Sequence, residues 1–198
     1  DFCLSRGLGD VYKRQGMNAA IRGVVRTANF HKIDIVGIKR GYTGIFEKDF
    51  VPMNASSVAN IIQLGGTILL SDRCEKFFEP KYRMKAGKIL KAQKISHLVT
   101  IGGDGTFSGA IRLQEETGVK VIGIPGTIDN DIPGTDSTIG FDTAVNTAVQ
   151  MVDNIRDTAS SHERTFLVEV MGRNSAEIAN FVAPVSYTHL RAHETGRN

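Results

Sequence analysis

Residues 97–131 read HLVTIGGDGTFSGAIRLQEETGVKVIGIPGTIDND. Two runs, HLVTIGG and VKVIGI, read as strands. Between them, GTFSGAIRLQEET carries helical spacing and closes on Gly118, with Thr106 expected to open the helix. Strand, helix, strand at this spacing predicts a parallel pair and an open, layered α/β sheet. Ligands bind such sheets beyond the carboxyl ends of the strands. That rule places GGDGT (102–106) and PGTIDND (125–131) on one rim.

The pattern continues outward in both directions. Upstream, GMNAAIRGVVRTANFHK (16–32) reads as an amphipathic helix and IDIVGI (33–38) as a short buried strand. SSVANIIQLGG (56–66) has capping serines and a terminal glycine, so a helix is expected there; KYRMKAGKILKAQK (81–94) predicts another, basic and amphipathic. Downstream, FDTAVNTAVQMVDNIRD (141–157) reads as a long helix, RTFLVEVMG (164–172) as a last strand, and NSAEIANFVA (174–183) as the start of a further helix. The MGR that ends the last strand joins the same rim.

Composition is that of a soluble globular protein: 198 residues, 41% hydrophobic and 23% charged. No apolar run reaches membrane-spanning length, so no membrane partner is expected. The two cysteines, Cys3 and Cys74, make no disulfide framework, and a reducing cytoplasm is the expected compartment. Net charge is +3, yet residues 1–15 and 186–198 hold five Lys/Arg against three Asp/Glu. The remainder is therefore 19 against 18, with no basic stripe for nucleic acid. The two end segments lack periodicity and resemble translated sequencing-adapter read-through. They are expected to be artefactual tails on an internal fragment. Residues 16–139 are expected to form an incomplete nucleotide-binding α/β domain, and residues 140–185 the start of a second.

Three groups of residues carry chemistry. In IGGDGTFSGA (101–110), Gly102, Gly103 and Gly105 let backbone approach a ligand, and the helix that follows presents N–H groups to phosphate. Asp104, flanked by glycines, is the kind of exposed carboxylate that Mg²⁺ uses beside bound phosphates. In PGTIDND, Asp129 and Asp131 are two apart and lie on one side if the segment is extended. One could accept a substrate proton while the other orients a cation or the loop; an ordinary Asx-turn is the plain alternative. Arg73, Arg164 and Arg173 stand at element ends near the rim, where a guanidinium can fork onto phosphate oxygens; each could equally be a surface cation. Metal, amides and arginines around a phosphoryl group, with a carboxylate for the acceptor hydroxyl, describe phosphoryl transfer. There is no Walker sequence and no protein-kinase loop set. Nor does a G-x-G-x-x-G follow the first strand, which argues against a Rossmann dehydrogenase.

These motifs, GMNAAIRGVVR, GGT followed by R-C (65–74), IGGDGT, PGTIDNDIPGTDSTIGFDTA, RDTASSHER and VEVMGR, resemble the bacterial ATP-dependent 6-phosphofructokinase family across about residues 16–183. GGDGT alone is also found in NAD kinase and diacylglycerol kinase families, which lack PGTIDND in this form. The resemblance implies a three-layer, open, mostly parallel sheet, truncated, and a glycolytic transfer from ATP to fructose 6-phosphate. It implies Asp129 as the base, with Thr127, Asp131 and Arg173 supporting catalysis. It assigns Gly16, Arg73, Cys74, Gly103, Asp104, Gly105 and Thr106 to ATP, and Asp104 to Mg²⁺. It assigns Thr127, Asp129, Arg164, Met171, Gly172 and Arg173 to the sugar phosphate. Arg164 would reach a neighbouring subunit's site, which implies a homotetramer. Arg22, Arg26 and Arg156 match allosteric effector positions, where a solvated basic face is the alternative and Ala55 replaces a further arginine. Pyrophosphate-using relatives carry Asp at Gly105 and Lys at Gly126, so two glycines favour ATP. The family's first phosphate loop and C-terminal half are not recognised in this sequence, so the chain by itself is expected to be inactive. A pyrophosphate-dependent relative and a non-catalytic nucleotide-binding paralogue are the competing readings.

Overall fold

A computed structural model of the chain describes residues 16–162, 166–172 and 175–185. The end segments 1–15 and 186–198, with Arg164 and Arg173, lie outside the described residues.

The central unit is as the spacing predicts. Strand β3 (His97–Gly102) pairs in parallel with β4 (Lys120–Pro125), in register from His97 opposite Lys120 to Gly102 opposite Pro125. Helix α4 (Asp104–Thr117) crosses between them and ends on Gly118 at φ 73°, a left-handed position that glycine takes without strain. The helix begins two residues earlier than expected, at Asp104 rather than Thr106. Gly103 in extended conformation supplies the turn, and its carbonyl accepts from the N–H groups of Thr106 and Phe107 at 3.0 and 3.1 Å. Helix α3 (Pro80–Ala92), with proline in its first turn, lies against α4. Together they bury Leu90, Leu98, Leu113 and Val119 with Ile45 and Phe77.

Helix α1 (Met17–Phe30) covers a second cluster, Ile21 and Val25 against Met53, Val58 and Ile61. Its expected neighbour, a parallel strand from IDIVGI, is instead β1 (Val36–Ile38), antiparallel to β2 (Phe50–Pro52) in a separate two-stranded sheet. Helix α2 (Tyr42–Glu47) makes the reversal: Lys48 adopts φ 58° and Asp49 N–H donates to the Gly44 carbonyl at 2.9 Å. The helix expected at 56–66 does not form. The Asn54 carboxamide captures the N–H groups of Ser56 and Ser57, both at 3.0 Å, and Asn60 turns left-handed at φ 54°. Capping residues here build turns rather than start a helix.

Helix α5 (Phe141–His162) and helix α6 (Glu177–Val185) bury a third cluster with Ile128. The strand expected over 164–172 is absent over its described part, Phe166–Gly172, which pairs with no strand among the described residues. Leu167 there is 93% exposed, and alternation alone does not make a strand without a ladder partner. Among the described residues no helix is long and apolar enough to cross a membrane.

One ion pair stiffens the central unit. Arg83, 3% exposed on α3, forks onto Glu116 at the end of α4 with contacts of 2.6 to 3.1 Å. Its remaining donor reaches the carbonyls of Phe77 and Phe78 at 2.8 and 2.7 Å. Arg83→Met would take the donor from the Phe77 and Phe78 carbonyls and the partner from Glu116, so a lower urea midpoint is expected. Arg83 also holds the Glu116 carboxyl below the usual carboxylate range, chiefly by hydrogen bonding. A depressed carboxyl adds stability at neutral pH, lost as pH falls through its folded pKa. Stability should therefore decline more steeply in acid for the wild type than for Glu116→Gln.

Candidate active site

The GGDGT turn and the PGTIDND loop leave the same, carboxyl edge of the parallel pair. They touch. A methyl group placed on Gly103 would lie 3.4 Å from Thr127 Cβ and 3.6 Å from its hydroxyl oxygen. The ladder runs one step past the strands, where Gly126 N–H donates to the Gly102 carbonyl at 3.0 Å. Asp104 and Gly105 are exposed in the first turn of α4, a helix start with no side-chain cap. The leading N–H groups of a helix carry partial positive charge, which suits a phosphate; here these are Asp104 and Gly105, because Thr106 N–H is already bonded to the Gly103 carbonyl. Thr106 lies behind them, its hydroxyl against Gly102 and its carbonyl accepting from the Tyr42 hydroxyl at 2.7 Å.

The loop after β4 is folded, not extended. Asn130 sits at φ 50°, so Asp129 and Asp131 do not project from an extended strand as their spacing suggests. Asp129 is half-buried and Asp131 exposed. The Asp129 N–H donates to the Thr127 hydroxyl at 3.2 Å. Thr138, 3% exposed, donates from its hydroxyl to the Thr127 carbonyl at 2.7 Å and from its N–H to the Asn130 side chain at 2.9 Å. Ser175 donates to the Asp129 carbonyl at 2.7 Å. Sequence reasoning overlooked Thr138 and Ser175, because neither stands next to the carboxylate in the chain.

The start of α1 reaches this rim too. Gly16, at φ 77°, packs on the Ile139 side chain, and its carbonyl accepts from Ala20 N–H at 3.1 Å. Met171 and Gly172 lie in the segment before Ser175, and Met171 packs on the third cluster.

Arg73 and Cys74 lie in a cleft of about 360 Å³ with Thr43, Phe46, Glu47 and Lys76. Tyr42, next in the chain to Thr43 of that cleft, reaches the rim and is another residue the sequence did not mark. Tyr42 stacks on Phe77 with centroids 3.8 Å apart and planes 7° from parallel, while its hydroxyl holds Thr106. Burial pushes the Tyr42 hydroxyl pKa up, so it remains a donor.

The two glycines credited with leaving room for a nucleotide differ. A side chain at Gly105 meets open space, whereas a methyl on Gly126 would fall 2.9 Å from Ile101 Cγ2. A side chain at Gly126 would require the Ile101 side chain to shift, so the space argument is cleaner at Gly105. Of the three arginines matched to effector positions, Arg22 donates to the Val58 carbonyl, Arg26 is exposed, and Arg156 pairs with Asp153 at 3.5 Å.

The family profile described as Phosphofructokinase matches residues 12–189. The chain belongs to the phosphofructokinase family. The "ATP-dependent 6-phosphofructokinase" of Halothermothrix orenii is 61% identical over 160 residues, which are 81% of this chain and 48% of that one. The "ATP-dependent 6-phosphofructokinase 1" of Thermus thermophilus is 58% identical over 164 residues, 83% of this chain and 51% of the relative. This phosphofructokinase chain thus spans about half the length of the curated relatives it matches. Among solved structures, the Pichia pastoris phosphofructokinase in the T-state superposes with a TM-score of 0.83 at 33% identity, covering 88% of this chain and 20% of that one. The phosphofructokinase fold is therefore present in this α/β chain.

Proposed function

We propose that the source protein is an ATP-dependent 6-phosphofructokinase, and that this chain supplies its nucleotide-binding half and the first part of its sugar-phosphate half. The observation that supports the reading is the junction of the GGDGT turn with the PGTIDND loop, where Gly126 N–H donates to the Gly102 carbonyl and Gly103 faces Thr127. Residues 16–139 form the nucleotide domain and residues 140–185 begin the second.

In this reading, helix α4 receives the nucleotide phosphates on its first-turn amides, with Gly16, Gly103, Gly105 and Thr106 around them and Arg73 and Cys74 alongside. Among the described residues no group of three or more His, Cys, Asp or Glu could cage a metal. Mg²⁺ usually binds through one or two carboxylates plus substrate phosphates, so the exposed Asp104 carboxylate fits an ion shared with the nucleotide. When bound, Mg²⁺ supplies neutralisation of phosphate charge. Asp129 accepts the proton of the fructose 6-phosphate 1-hydroxyl. The sugar oxygen forms its bond to the γ-phosphorus as the bond to the β,γ-bridging oxygen breaks, leaving ADP and fructose 1,6-bisphosphate. Thr127 and Asp131 hold the loop and its polar surroundings. Met171, Gly172, Arg173 and Arg164 bind the sugar phosphate, the last across a subunit boundary of a homotetramer. The protein works in the cytoplasm in glycolysis, and Arg22, Arg26 and Arg156 form an effector site. Because Ala55 brings no charge where the family has a further arginine, effector binding there is expected to be weak.

The test is a coupled assay on the protein expressed from the intact source gene. Fructose 1,6-bisphosphate should form with ATP and not with pyrophosphate. Formation with pyrophosphate alone would assign the other donor, and nucleotide binding without turnover would mark a non-catalytic paralogue.

A further inference from the structure

We infer that Thr138 and Ser175 are positioning residues for Asp129, holding the backbone on either side of it so that its carboxylate is presented in one place. The inference rests on the kinase reading above. Asp129 sits in an irregular loop whose neighbour Asn130 is left-handed, so no ladder or helix fixes its direction. The fixing comes from one residue further along the same loop and one beyond it. Thr138 is buried and spans the loop: its hydroxyl holds the Thr127 carbonyl at 2.7 Å, and its own N–H holds the Asn130 side chain at 2.9 Å. Those two anchors flank residue 129. Ser175 holds the third point, the carbonyl of Asp129 itself at 2.7 Å, and accepts from Glu177 N–H at 3.3 Å at the start of α6. Thr138 thus ties the loop to itself, and Ser175 ties it to the third core cluster through α6. Neither hydroxyl has to touch a substrate to matter. A misplacement of about 1 Å at a reacting group can cost about 100-fold in rate.

The experiment compares Thr138→Val, Thr138→Ser and Ser175→Ala in the intact enzyme, by steady-state kinetics and by amide hydrogen exchange of residues 127–130. Thr138→Val should lower kcat by about 10- to 100-fold with KM for ATP and for fructose 6-phosphate nearly unchanged. Exchange at 127–130 should quicken in the same variant, and Thr138→Ser should restore both. Ser175→Ala, on a half-buried residue, should show the same signature to a smaller degree and covers the case in which Thr138→Val does not fold. Wild-type kcat and unchanged exchange in both variants would overturn the inference, as would a loss of activity that merely follows a loss of folded protein. Exchange reads the tethers whether or not sugar is phosphorylated, so their failure and failure of the kinase reading are separate results.

Discussion

Asp129→Asn in the intact enzyme is expected to lower kcat by about 10²- to 10⁴-fold, the range a positioned general base contributes. The substitution keeps size and removes the proton acceptor. Its two main-chain anchors, the N–H on the Thr127 hydroxyl and the carbonyl under Ser175, do not involve the side chain and should persist in the variant. KM for both substrates should change little, since the loss falls on the transition state. A variant with wild-type kcat would remove Asp129 from the reaction.

Gly105→Asp is the second large effect. Residue 105 is exposed in the first turn of α4, and among the described residues no neighbouring atom of another segment lies within 4 Å of a Cβ placed there. A carboxylate there favours the helix, by about 0.5 kcal/mol, so thermal stability should hold or rise. The same charge would occupy the position proposed for the nucleotide phosphates, and like-charge juxtaposition costs several kcal/mol. ATP use, as kcat/KM, should fall by about 10³-fold while the affinity for fructose 6-phosphate stays near wild type. Unchanged ATP kinetics would refute the steric and electrostatic reading of this glycine. The opposite signs on stability and activity separate it from ordinary damage. Gly126 is a less clean test, because a side chain there would also displace the Ile101 side chain.

The parallel unit at 97–125 was legible because its signals are local. Apolar runs of strand length flank a helical period, and Gly118 stops the helix where the chain must turn left-handed. The same logic failed at 56–66. Serine and asparagine cap helices and build turns by the same hydrogen bond, and only the three-dimensional setting decides which. Here Asn54 took the N–H groups, and Val58 and Ile61 became plugs under α1. The hairpin of β1 and β2 was hidden for a different reason: its turn runs through a short helix and a left-handed Lys48, and contains no Asn-Gly or similar signal. The rim residues were legible from glycine spacing and from the carboxylates they frame. Tyr42 and Ser175 were not, because each acts through a hydroxyl on a stretch far from it in sequence, and Thr138 was not, because it holds groups 8 and 11 residues back in its own loop.

The most direct measurement follows labelled phosphate. The protein from the intact gene is mixed with fructose 6-phosphate and ATP carrying ³²P in the γ position, and the sugar product is separated. Label should appear at the sugar's 1-position, at a rate that collapses in Asp129→Asn. Label that stays on ATP, or moves equally fast without the carboxylate at 129, would contradict the account.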